Sequence, residues 1–250
     1  MKTRDRVLNF ALPIITVAVI VVLWSAAAIA VDSEYILPNV GETFTALIGL
    51  LKSAAFYRAF FGTLLRSVIA FIISFILAFT FAFLSYKREK AKRVLSPVII
   101  ITRALPTIAV VLLLVVWTNS RVAPVIVTML VVFPTLYNNL YAALCGIDKD
   151  LNEMCKVFGV ENKKRLKKVV FPQIAPEFIS AAGSGLTLNL KLMVAAEVIS
   201  QTANCMGYLL NSSKVYFEIS TMLALVLVTV VMGLIIELAF SFWAKRVVKK

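Results

Sequence analysis

Long, nearly uninterrupted apolar runs, such as Ala70–Phe83, Ile108–Trp117 and Met222–Ile236, limit what this chain can fold into more than any other feature. Crossing a bilayer takes about 20 mostly apolar residues, and such runs occupy most of the 250-residue chain. Of its residues 61% are hydrophobic and 16% charged, whereas a soluble domain is nearer half apolar and a quarter charged. The runs are too long and unbroken for the ten-residue alternating segments of a β-barrel, so membrane-crossing helices are predicted. The fold class is therefore all-α and polytopic. Six transmembrane helices are predicted at about 8–31, 60–84, 95–117, 122–144, 178–200 and 219–243. The basic start Met1–Arg6 and the Ala28-Ile29-Ala30 tripeptide resemble a cleavable signal. The apolar stretch Val7–Val31 exceeds the usual 7–15 residues of a signal core, so an uncleaved first span is expected.

Charge gives the orientation. Lys and Arg number 26 against 13 acidic residues, a net charge of +13. No nucleic-acid-binding motif accompanies that excess, so no nucleic acid is expected as a partner. In a membrane protein such cations mark cytoplasmic loops and meet the anionic headgroups of membrane lipid. Nineteen cations fall at the termini and in the loops after spans 2 and 4, and only Lys52, Arg58, Arg121 and Lys214 fall in the opposite loops. Both termini are thus expected in the cytoplasm, as six spans require, with the Asp32–Arg58 loop outside. The chain is read as a single transmembrane domain over residues 1–250. It has no His and no Cys-x-x-Cys, so no metal site is expected. Cys145 and Cys155 flank a cytoplasmic loop, where thiols stay reduced, and Cys205 falls on the other side, so no intramolecular disulfide is expected.

Within the outer loop, Phe44, Leu47, Ile48 and Leu51 recur at i, i+3, i+4 and i+7 and predict an amphipathic helix, lying on the membrane boundary or against the bundle. Pro106 and Pro134 interrupt two spans, as kinks or as gates. Arg66, Arg103, Lys191, Glu197 and Glu237 are ionisable groups inside apolar spans, where they pair or line a water-filled pathway. At 1.5 Å per residue Arg66 lies about 9 Å below the outer surface, level with Glu197. Arg103 and Glu237 are matched in the inner third. Snorkelling, or pairing for packing alone, is the competing reading of both pairs. Lys191, near the midplane, has no acidic partner at its depth and is the candidate for attracting an anion in the pathway.

The cytoplasmic loop at about 146–176 carries a further pattern. Leu151, Met154, Cys155 and Phe158 fall at helical spacing, and Gly159 ends the turn as a C′ residue would. A second helix from about Asn162 sets Leu166, Val169 and Val170 against Lys and Arg, before Pro172 and Pro176 lead into span 5. The tip is Gly159–Glu161, including Val160. Read from its residues alone, this helix–turn–helix is either a docking knob for a partner or a basic hairpin on the membrane surface.

The spacing of that loop resembles the EAA motif of ABC importer permeases: E-A-A, three residues, G, nine residues, I-x-L-P. Here the anchors are Glu153-Met154-Cys155, Gly159 and Val169-Val170-Phe171-Pro172; Met154 and Cys155 replace the alanines, Val169 the Ile and Phe171 the Leu. Tyr35-Ile36-Leu37-Pro38, Arg103-Ala104-Leu105-Pro106 and Val194-Ala195-Ala196-Glu197 are similar to segments of the nitrate/sulfonate/taurine subfamily. The resemblance implies a type I importer permease fold in the bacterial cytoplasmic membrane. It also implies a second permease copy, as a homodimer, and cytosolic ABC ATPase subunits that receive the loops in surface grooves. An extracytoplasmic binding protein would deliver a small, anionic or vitamin-like solute. ATP and Mg would be bound by the ATPase, with no cofactor in this chain.

No Gly-x-x-x-x-Gly-Lys-Ser/Thr phosphate loop occurs, so the chain is not itself the ATPase. The small residues Ser180–Gly185 predict close helix packing instead. A membrane-embedded enzyme is the alternative from another class, but the chain has no His, no HExxH and no Gly-x-Ser-x-Gly elbow, and no catalytic residue is assigned. A secondary transporter is the other alternative; it would show an internal repeat, and none is evident.

Overall fold

The computed structural model describes residues 3–248; Lys2, Lys249 and Lys250, counted among the basic termini, lie outside them. Regular structure among the described residues is helical throughout. All six apolar segments are in helices, but not all as single straight spans. Four helical runs are long and apolar enough to cross a membrane: α3 (Ala54–Lys87), α6 (Ala123–Cys145), the run Asn162–Ser200, and α11 (Ile219–Val248). The first span corresponds to α1 (Thr3–Val31).

The third span is not one straight helix, which corrects the 95–117 segment. It consists of α4 (Glu89–Ala104) and α5 (Thr107–Trp117), bent by 95°. Pro106 has no amide hydrogen to continue the ladder, and its ring drives the preceding residue out of the helical region. Leu105 and Pro106 are accordingly both extended, at ψ 130° and 112°. Pro134 has the same chemistry but sits inside an unbroken α6. The difference is packing. Around Pro134, Val132, Leu136, Tyr137 and Leu140 are locked into a core shared with Phe71 and Ala78 of α3 and with Ala181. Ile100, Ile101 and Ile108, flanking Pro106, are more than 60% exposed, so little tertiary contact opposes the break.

The chain divides into two compact units. One holds everything up to Tyr57 together with Leu209–Val228. Its outer-loop helix α2 (Val40–Leu51) starts with a capping box in which Asn39 and Glu42 exchange side-chain and backbone hydrogen bonds. The Trp24 indole N–H donates to the Pro38 carbonyl at 3.1 Å, tying α1 to the strap that leads into α2. The helix is where its periodicity predicts, with Phe44, Ile48 and Leu51 half-exposed.

The other unit, Arg58–Tyr208 with the chain from Thr229 onward, contains the core and the candidate site. Here α9 (Phe171–Ser200) packs on α6 and α11 through the small residues of its first half. A Cβ on Gly183 would stand 2.5 Å from the Phe240 Cβ, and one on Gly185 2.5 Å from a Leu136 methyl. Those alternate positions make the close approach, while Ser184 between them and Ser180 before them point away and are exposed.

Candidate functional site

The loop after α6 folds as a helix, a glycine turn and a second helix. Asp148 caps α7 (Lys149–Val157) by accepting the Leu151 amide on its carboxylate at 3.0 Å, and its own amide donates to the Gln173 side chain. Gly159 ends α7 at φ +66°, and the Val160 amide reaches back to the Cys155 carbonyl at 2.9 Å. That is the six-to-one bond of a Schellman turn, in which glycine takes the left-handed position at least cost. A Cβ on Gly159 would meet nothing within 4 Å, so its identity is set by backbone conformation and not by packing.

The apolar stripe of α7 does not act as one face. Leu151 and Cys155 turn inward, whereas Met154 is 49%, Phe158 77% and Val157 84% exposed. Val157 stands three residues after Met154, so with Phe158 it widens the exposed face beside the inward Leu151 and Cys155. Glu153 and Glu161 are exposed beside this apolar tip, and Val160 is 37% exposed.

The second helix is not separate from span 5. From α8 (Asn162–Arg165) the chain runs through a π-helical turn, Leu166–Val170, directly into α9. The Phe171 amide bonds to the Leu166 carbonyl five residues back, just before Pro172, which has no amide to offer. The prolines thus sit in the first turns of a continuous helix instead of separating two.

At the other end of α9 the intramembrane charges divide. Arg66 and Glu197 meet: Nε donates to Oε1 at 2.9 Å, and Nη2 lies 2.8 Å from the same oxygen. Nη2 is off hydrogen-bond geometry, so that second contact is an ion pair only. Glu197 is fully buried, and its other oxygen accepts from the Thr63 hydroxyl at 2.7 Å and the Gly207 amide at 3.4 Å. Thr63 in turn accepts the Met206 amide. Two glycines permit this convergence. A Cβ on Gly207 would lie 2.4 Å from the Glu197 Cβ, and one on Gly62 2.6 Å from the Asn204 carbonyl. Gln201 and Asn204, both at positive φ, fold the connection from α9 to α10 (Met206–Val215) over the carboxylate.

The second depth-matched pair is not formed. Arg103 is exposed in the last turn of α4, where the helix dipole favours a cation. Among the described residues it makes no ion pair with Glu237. The break at Pro106 removes the straight span on which that depth match rested. Glu237 instead lines a cavity of about 350 Å³ between α9 and α11, with Ser180 and Ser184.

A larger cleft of about 520 Å³ opens between α6 and α9, lined by Asn139, Gln173, Glu177, Ser180 and Ser184. Gln173, Glu177, Ser180, Ser184 and Lys191 fall within about 60° of one another around α9, at 100° per residue. They form one polar stripe on a helix whose other faces are packed, and Lys191 is exposed on it. Sequence reading found Lys191 but not Asn139, Gln173, Glu177 or the two serines. The signal was the spacing i, i+4, i+7, i+11, i+18 of polar residues within an apolar helix.

The family described as binding-protein-dependent transport system inner membrane component matches residues 70–250, nearly three quarters of the chain. The chain belongs to that family. It is therefore a permease subunit, forming a translocation pathway in a multi-pass inner-membrane protein, and not an enzyme. A Methanocaldococcus jannaschii protein described as an ABC transporter permease is 23% identical over 95% of this chain and 89% of its own length. The Escherichia coli taurine transport system permease protein TauC is 22% identical over 61% of this chain and 56% of its own. In fold, the permease resembles a chain of the methionine ABC transporter MetNI in inward-facing conformations. That match has TM-score 0.66 at 18% identity and covers 76% of this chain and 95% of that one. An amino acid ABC transporter gives TM-score 0.64 at 19% identity over 77% and 94%. The type I importer permease fold is thus present.

The cysteines of the permease offer a check on the packing. Cys145 is exposed, Cys155 is 7% exposed and Cys205 is fully buried. In the loop before α10 the Cys205 thiol is pushed up to about 12, first by burial and then by the Glu197 carboxylate nearby. The thiolate is the reactive form. A maleimide at pH 8 is expected to label Cys145 fully, Cys155 slowly and Cys205 only after unfolding in SDS. Rapid labelling of Cys205 in the folded protein contradicts the closed carboxylate site.

Proposed function

We propose that two copies of this permease form the pathway of an ATP-driven importer for a small anionic solute delivered by an extracytoplasmic binding protein. The apolar tip Met154-Val157-Phe158, held out by the Gly159 turn, carries the ATP-driven part of the reading. Such side chains on a basic loop are left exposed among the described residues, and an ATPase groove would bury them. Glu153, Cys155, Val160, Glu161 and Pro172 complete that coupling segment, within about 146–176 of a single permease domain. ATP and Mg are held by the ATPase. Both termini and the coupling loop lie in the cytoplasm, where the basic loops also meet membrane lipid.

The solute class rests on Lys191, the cation on the polar stripe of α9. In a low-dielectric pathway it attracts an anion and is poorly screened. A taurine system among the relatives is consistent with an anionic sulfonate group, and a riboflavin system, RibX of Chloroflexus aurantiacus, with a vitamin-like one. In proteoliposomes holding the permease, its ATPase and its binding protein, Lys191→Glu is expected to lower uptake at least tenfold while binding-protein-stimulated ATP hydrolysis persists. Unchanged uptake by Lys191→Glu rejects the anionic pathway. Failure of the binding protein to stimulate hydrolysis by the wild-type complex rejects the importer reading itself.

A further inference from the structure

We propose that a cavity at the Lys87 end of α3 binds the headgroup region of an anionic phospholipid from the cytoplasmic leaflet; this rests on the topology proposed above. The cavity holds about 520 Å³ and is walled by Phe79, Phe83 and Tyr86 of α3, Leu144 of α6, and Val170 and Ile174 of the run into α9. The three aromatics are spaced i, i+4, i+7 and each is about 40% exposed, facing away from the core formed by Ala78 and Ala82 of the same helix. Apolar walls alone would identify only lipid-facing surface.

The polar rim is what gives the cavity chemistry. Lys87, Asn152 and Arg165 line it, and among the described residues no acidic one does. Arg165 Nε and Asn152 Oδ1 are both shielded, and neither makes a hydrogen bond. Shielded polar groups without partners are costly, so an occupant able to satisfy both is favoured. A phosphate diester oxygen accepts from the guanidinium, with the strength of a charge-assisted bond. A glycerol hydroxyl or an ammonium on the same headgroup donates to Asn152. Lys87, whose Nζ stands 4.5 Å above the Phe83 ring, supplies a second cation. A wholly apolar occupant, such as a hydrophobic segment of the ATPase, would leave both cations and the buried Asn152 acceptor unmatched.

The wall contributed by Leu166 and Val170 belongs to the π-helical turn, a widened geometry that recurs at functional positions. Asn152 belongs to α7, so the proposed lipid would bridge α3, the coupling segment and the start of α9. Lipid composition would then set how firmly the base of the docking segment is held.

Native mass spectrometry of the full-length permease tests this with equal amounts of phosphatidylglycerol and phosphatidylcholine of the same acyl chains. Wild type is expected to retain phosphatidylglycerol about tenfold over phosphatidylcholine, as two rim cations imply. Lys87→Gln combined with Arg165→Gln should bring the ratio near one. Lys245→Gln with Arg246→Gln, an equal loss of charge at the end of α11, should leave it unchanged. Val170→Trp gives an independent arm that does not depend on the folding of the rim double variant: it fills the cavity with no change in charge and should abolish the preference. Equal retention of the two lipids by wild type overturns the proposal, as does a preference that survives both variants. Displacement of phosphatidylglycerol by added ATPase, with cross-linking of the ATPase at Phe83, would assign the cavity to the protein partner and overturn it equally.

Discussion

Arg66→Gln is expected to destabilise the permease by about 3–5 kcal/mol, the cost of leaving a buried charge without its partner. Glu197 is fully enclosed, whereas the Arg66 side chain is 21% exposed, so removing the cation should cost more than Glu197→Gln. The control is Asp32→Asn. Asp32 is exposed at φ +47°, a conformation that Asn tolerates, and the change should stay within about 0.5 kcal/mol. Gly207→Ala should behave like the charge mutants, because its Cβ would collide with Glu197 and with the Val198 backbone. A buried ion pair often contributes little against an apolar pair of similar volume. The double variant Arg66→Met/Glu197→Met should therefore recover more than half of the loss. Apparent melting temperatures in detergent, read alongside transport, measure all five proteins. Arg66→Gln melting with Asp32→Asn, or a double variant no better than the worse single, would reject the pairing as the element that holds α3 to α9.

Gly159→Val is expected to leave the permease inserted and abundant while uncoupling hydrolysis from uptake by tenfold or more. At φ +66° a β-branched residue pays about 1–3 kcal/mol of backbone strain, and no clash is added because the space around a Cβ is open. The strain is relieved by opening the turn, which displaces Val157 and Phe158. Severity should follow cost in the left-handed region: Asn mildest, Ala intermediate, Val worst. Phe158→Asp, which leaves the backbone alone and puts a charge on the tip, should uncouple as strongly as Val. Lys167→Ala, on the basic flank, should lose about 1 kcal/mol of headgroup contact at most. The readouts are ATP hydrolysis and solute uptake by the reconstituted complex at matched permease levels. Normal uptake by both Gly159→Val and Phe158→Asp would mean that the loop is only a membrane-surface hairpin.

The two sites differ in how far they could be read in advance. The Gly159 turn is local: a C-terminal glycine, its flanking periodicity and the following helix lie within a few residues, so the Schellman geometry was legible. The face that α7 exposes was not, because Leu151 and Phe158 are equally apolar and only the packing of Leu151 and Cys155 separates them. Arg66 and Glu197 lie 131 residues apart in the chain, yet depth in a bilayer supplies a coordinate that a soluble protein lacks. The same argument failed for Arg103 and Glu237, because it assumes a straight helix and Pro106 breaks that one.

By itself the sequence determined what depends on one-dimensional pattern: a bilayer as solvent, an all-helical chain, the segments that enter it, the glycine turn of the loop, and the depth shared by Arg66 and Glu197. Each follows from an energy set by composition or by short-range backbone geometry, since an unpaired amide or an unpartnered charge in hydrocarbon is costly wherever the chain later packs. Tertiary structure alone decided which of two prolines breaks its helix, because that depends on whether surrounding contacts oppose the break. Packing likewise decided that Gly183 and Gly185 meet neighbouring helices while Ser180 and Ser184 face a cleft. It also fused the loop's second helix with span 5, where a π turn absorbs the missing amide of Pro172. Those outcomes turn on differences of a few kcal/mol between alternative contacts, and contacts are not ordered along the chain.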